Sequence, residues 1–153
     1  MENRLLSLFD PPTRASLLAR LDRLTADCPR QWGKMTSAQM FAHCSAALEV
    51  ANGDTPRRQA LIGKLLSWMV RGKLLGPEPL SRNSPTDPSF VITDPRDLAT
   101  ERARLTGEIE RFASRGPEIA ATRLHTFLGR LSGPEWGVMM GKHLDHHLRQ
   151  FGV

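Results

Sequence analysis

Apolar residues recur at intervals of three and four along four stretches of the chain, and strict alternation is nearly absent. The spacing predicts a first helix from Asp10, with Pro11 and Pro12 in its tolerated first turn and Leu17, Leu18, Leu21 and Leu24 as its stripe. It should end near Asp27, ahead of Pro29. A second helix starts at Thr36, where Thr36 and Gln39 form a capping box. Met40, His43, Ala47 and Val50 follow on one face, and Gly53 is placed to close it in a left-handed conformation. A third is announced by Asp94-Pro95, carries Leu98, Leu105, Ile109 and Phe112, and stops at Gly116-Pro117. The fourth starts at Ser132, with Glu135 completing a second box, and runs through Trp136, Met139, Met140, Leu144 and Leu148 to Phe151.

About forty residues separate the second and third helices. The first half, RRQALIGKLLSWMVRGKLLG, reads as an accessory amphipathic helix. Leu61, Leu65, Leu66 and Met69 lie on one side and Lys64, Ser67 and Arg71 on the other. The second half, PEPLSRNSPTDPSF, is a proline-rich loop. A connection of this length lets its flanking helices run parallel, whereas short loops force antiparallel neighbours. The expectation is an all-α, single-domain chain over 1–153: a four-helix bundle with one long crossover between helices two and three.

Composition narrows the class. The chain has 153 residues, 40 % of them apolar, enough for one packed core. No apolar run reaches the roughly 18 residues of a spanning helix. MENRLLSLFDPP lacks the features of a leader. Cys28 and Cys44 form no CxxC and read as reduced thiols in a cytoplasmic protein. The net charge is +5, but basic residues are scattered among acids and no aromatics alternate with them. The expectation is therefore no nucleic-acid partner, and membrane contact is disfavoured. A membrane-surface reading would use Leu65, Trp68 and Met69 with Arg57, Arg58, Lys64 and Arg71; the plainer reading makes this segment a cover over the bundle's open end. A homodimer through an exposed apolar stripe is open.

Candidate chemistry lies in HLDHHLRQFG, residues 143–152. His143 and His147 are four apart, so their rings stack on one helical face with Cβ atoms roughly 5–6 Å apart. Trp136 and Met140 share that arc, which turns the pair inward. Buried imidazoles are costly unless hydrogen-bonded or ligated. His43, centred on the apolar face of helix two, is the natural third ligand. Three imidazoles on one ion leave a position open, the pattern of a catalytic site. HxxxH also occurs in satisfied core or surface histidines, and spacing leaves both readings open. His146 lies about 60° to one side and Gln150 on the same arc as the pair; both are candidates to support the ligands, as is Gln39, one turn before His43. Gln39 is more simply explained by its box. Asp145 points away and should be exposed. His125 should brace the loop before helix four, and Cys44 should pack as a small apolar residue.

GRLSGPEWGVMMGKHLDHHLRQFG, preceded by LHTFLG, together with WGKMTSAQMFAHCSAALEVANG, resembles the DinB/YfiT-like superfamily, in a branch known as a domain of unknown function. The resemblance covers most of the chain, is weakest over about 53–93, and is most specific in the C-terminal H-x-x-H-H-x-x-Q. It implies a four-helix bundle holding a divalent metal on one histidine of helix two and an HxxxH pair of helix four: His43, His143 and His147. Zinc or nickel are the first expectations, with iron and manganese also suited to imidazole. The superfamily includes thiol-dependent S-transferases and isomerases, so a low-molecular-weight thiol and a small-molecule substrate are the implied partners.

The residues between the histidines are Leu, Asp and His, with no Glu as in HExxH, so no general base is visible for hydrolysis. Glu49 lies off the His43 arc, although a Glu from helix three could reach in. The expectation is a metal-dependent, thiol S-transferase-like enzyme. A metal-dependent hydrolase and a non-catalytic metal-binding stress-response or interaction module are the alternatives.

Overall fold

The structure, a computed structural model, describes residues 5–153. Met1 to Arg4, the head of the stretch read as lacking a leader, lie outside them. The described chain is all-α apart from one small hairpin. Its helices are α1 (Pro11–Asp22), α2 (Ser37–Asn52), α3 (Leu61–Leu75), α4 (Leu98–Ala120) and α5 (Gly133–Gln150). None is long and apolar enough to cross a membrane.

α1, α2, α4 and α5 close on one core. Leu17, Leu21, Met40, Phe41, Leu48, Leu105, Ile109, Phe112, Trp136, Leu144 and Leu148 are all buried in it. Each large side chain removed from water contributes about 1.5–3 kcal/mol, which is why these positions repeat at helical spacing. Partners along α2 and α4 rise together. Gln39 meets Asp94, Glu49 meets Arg104, Asn52 meets Glu108 and Asp54 meets Arg111. The two helices therefore run parallel, as the long crossover between them permits.

Helix boundaries follow the caps. Asp10 caps α1 through the Thr13 amide. α1 ends at Asp22, earlier than Asp27, because Arg102 of α4 takes the carbonyls of Asp22 and Leu24. The chain then closes a separate turn between Thr25 and Cys28. α4 begins at Leu98 under an Asp97 cap on Thr100, while Asp94 pairs with Arg96. Regular helix in α4 breaks at Gly116 (φ 82°), as expected, yet helical structure resumes through Pro117 to Ala120. Sequence periodicity gave no hint of the hairpin β1 (Leu124–His125) with β2 (Gly129–Arg130), in which Leu124 pairs with Arg130 and His125 with Gly129.

α3 is seated opposite to the usual amphipathic pattern. Gly63, its one buried residue, lies against the Phe127 carbonyl so closely that a Cβ would collide with it. Ser67 and Arg71 lie on that inner side, with Arg71 reaching Glu135 at 2.7 Å. Leu61, Leu65 and Met69 point outward. The loop that follows contains a single 3₁₀ turn, Pro88–Phe90, and returns to α4.

Candidate metal centre

α2 and α5 carry the histidines, and both start under complete capping boxes. Thr36 with Gln39 and Ser132 with Glu135 each satisfy two otherwise free backbone donors. α2 closes at Gly53 in the left-handed region (φ 85°), where a side chain would be strained. These caps fix where each helix begins, and thereby the rotation that turns His43, His143 and His147 toward one another.

The three rings form a compact triangle. Ring centroids are 5.0 Å apart for His43–His143, 4.6 Å for His43–His147 and 4.8 Å for His143–His147. One nitrogen from each lies within 4.8 Å of the others. His43 Nε2 and His143 Nε2 are 3.0 Å apart. Two nitrogens bonded to one ion at about 2.1 Å and about 90–110° from each other are separated by roughly 3.0–3.4 Å. The spacing of this pair fits a shared ion.

Two of the rings are fixed from behind. His43 Nδ1–H donates to the Phe90 carbonyl at 2.8 Å, so in the neutral ring Nε2 carries the lone pair. His147 Nδ1–H donates to Gln150 Oε1 at 2.8 Å, and Gln150 Nε2 donates to the Trp32 carbonyl at 2.9 Å. This arrangement fixes tautomer and ring orientation in the way an outer layer does for a metal-bound histidine.

Burial also sets the charge state. It is the largest influence on all three rings and lowers each pKa, with His43 partly restored by its Phe90 bond. Neighbouring imidazoles push the same way, and His147 falls to about 3. Near neutral pH all three rings are neutral, and each keeps one nitrogen with a lone pair that can ligate.

The other candidates separate. Gln150 is buried and directly supports His147. Gln39 does not touch the histidines: its Oε1 accepts from the Thr36 amide and its Nε2 donates to the Asp94 carbonyl. His146 stands outside the triangle, edge-on to both Trp32 and His147 and hydrogen-bonded to the Leu80 backbone. His125 Nδ1 accepts from the Phe127 and Leu128 amides and ties off the hairpin. Cys44 is fully buried beside Met40, and burial pushes its thiol pKa up.

Asp145 is a correction. It is buried rather than exposed, and pairs with Arg20 at 2.8 Å and Arg149 at 2.7 Å. α5 packs on α1 as well as α2, so the side facing away from the histidines is also interior. Glu49 is bound to Arg104, Glu101 to Arg96 and Arg104, and Glu108 to Asn52 and Arg111. The cluster of metal-capable groups found among the described residues holds three imidazoles and no carboxylate.

The carbonyls of Phe90 and Trp32 went unforeseen. Trp32 stands in the quoted WGKM motif but shows no carbonyl role there; Phe90 lies in the poorly patterned crossover and carries no signal.

No curated protein and no solved structure shows significant similarity to the chain. The family described as "Protein of unknown function (DUF1569)" matches residues 11–152. That match takes in both capping boxes and all three converging histidines, and the chain belongs to the DUF1569 family.

Proposed function

We propose that the chain is a four-helix bundle of the DinB/YfiT-like type whose His43, His143 and His147 hold one divalent ion, and that it is a metal-dependent enzyme of thiol S-transferase character. The reading rests on one observation: imidazole nitrogens from two helices converge, with two of the rings held from behind in the ligating tautomer. Zinc and nickel head the candidate ions. Three protein ligands leave a coordination position vacant.

A bound ion would lower the pKa of a thiol in that position and hold it as the reactive thiolate. The chain's own share is positioning and charge control. Phe90 and Gln150 orient the rings, and burial keeps them unprotonated so that protons do not compete for the nitrogens. Transfer to an electrophilic carbon of a small molecule would form the carbon–sulfur bond, release the thiol proton to solvent and let the leaving group depart with its bonding electron pair. Hydrolysis would want a carboxylate base, and Glu49, Glu101, Glu108 and Asp145 are all committed to arginines.

The test is elemental analysis of untagged protein followed by cobalt(II) substitution and titration with small thiols. Near-stoichiometric native metal and a thiol-dependent change in the cobalt absorption bands are expected. Stoichiometric metal with bands indifferent to every thiol would leave only a metal-stapled bundle. Protein that binds no divalent ion would overturn the whole reading.

A further inference from the structure

We infer that α3 is a membrane-surface anchor that lays its outer face on anionic lipid. Leu61 is 78 % exposed, Leu65 69 %, Trp68 75 % and Met69 62 %, an apolar strip over about two and a half turns. At roughly 100° per residue, Lys64 borders one edge of this strip and Lys73 the other. Both are exposed.

The strip cannot turn inward, because the opposite side is tied down. The Ala60 amide donates to the Thr126 carbonyl at 2.8 Å, and Gln59 Nε2 to the Phe127 carbonyl at 2.8 Å. Gly63 abuts that same carbonyl. Arg71 is held by Glu135. At the far end, Lys142 Nζ donates to the carbonyls of Lys73 and Gly76 at 3.0 and 2.7 Å.

Charge selects the occupant. The charges bordering the strip are Lys64 and Lys73; Arg71 is spent on Glu135 at the inner side, and residues 55–77 contain no Asp or Glu. A second copy of this face would set Lys64 and Lys73 against their equivalents, with no acidic group on the helix to pair them. The indole N–H of Trp68 is already used by the Leu65 carbonyl at 3.0 Å, so the strip offers a protein partner no polar side chain to read. A convex apolar ridge with basic borders suits a fluid surface: lysine stems lie along hydrocarbon while their ammonium groups meet lipid phosphates. This inference does not depend on the metal site.

Flotation with phosphatidylcholine vesicles, with and without phosphatidylglycerol, tests it on the whole chain. Binding to the anionic vesicles only is expected, weakened by high salt. The double variant Leu65→Ser/Trp68→Ser should abolish flotation; both side chains are largely in solvent, so the fold should hold, checked by circular dichroism. Lys64→Gln and Lys73→Gln should each weaken binding about fivefold. No flotation, or flotation untouched by the serine pair, would overturn the proposal. A dimer in sedimentation that the serine pair dissolves, without vesicle binding, would assign the face to a second copy instead.

Discussion

His147 Nδ1 and Gln150 Oε1 are 2.8 Å apart, and the far end of the same amide reaches the Trp32 carbonyl at 2.9 Å. One side chain therefore ties a ring of the histidine triangle to the segment ahead of α2. Replacing Gln150 by Leu removes the acceptor that fixes the tautomer. Metal affinity should fall about 10–100-fold, read by chelator competition. Unchanged affinity would mean that packing alone orients the ring.

Adjacent histidines should behave differently. His147 is one corner of the triangle, whereas His146 leans on Trp32. His147→Ala is expected to lose stoichiometric metal and His146→Ala to keep most of it, measured by elemental analysis after dialysis. Equal metal in the two variants would contradict the ligand assignment.

His125 makes acid stability testable. Burial lowers its folded pKa to about 4, against about 6.5 for a free imidazole. The unfolded chain therefore takes up a proton below 6.5 that the folded chain refuses. The stability linked to this group is complete above pH 6.5 and drains away as pH falls toward 4, by on the order of 3 kcal/mol in all. In His125→Asn the amide oxygen can still accept from Phe127 and Leu128 without titrating. The stability advantage of the wild type, from urea midpoints, should shrink across that window; a constant difference would discard the argument.

Asp145 bridges α1 and α5 through Arg20 and continues to Arg149. Breaking a fully buried pair costs about 3–5 kcal/mol. Arg20 keeps partial access to water, so Asp145→Ala should cost nearer 2 kcal/mol, seen in thermal unfolding, with metal content retained.

Elements defined by local chemistry were legible in the sequence. Thr36 with Gln39, Ser132 with Glu135, and Gly53 act within a few residues, and each performs its expected role. Features set by distant partners were not. The end of α1 is decided by Arg102, some eighty residues further along the chain. A helical wheel gives α5 one inside and one outside, but packing against α1 as well as α2 and α4 buries Asp145 on the second side. The wheel sets Lys64 with Ser67 and Arg71 opposite the leucines, yet Lys64 lies exposed beside the outward leucines, and it is Gly63, Ser67 and Arg71 that face the protein. Small residues permit close backbone approach, and that contact prevailed over the larger side chains.

The partner of His43 is the main-chain oxygen of Phe90, an atom that every amino acid supplies. No replacement of that side chain deletes it; only a detour in the path of the loop can. The orientation of this ring is thus encoded in the course of the crossover rather than in its spelling. Drift in the letters of that segment is tolerable so long as its route is kept, and anything that displaces the loop would loosen the triangle without touching a single histidine.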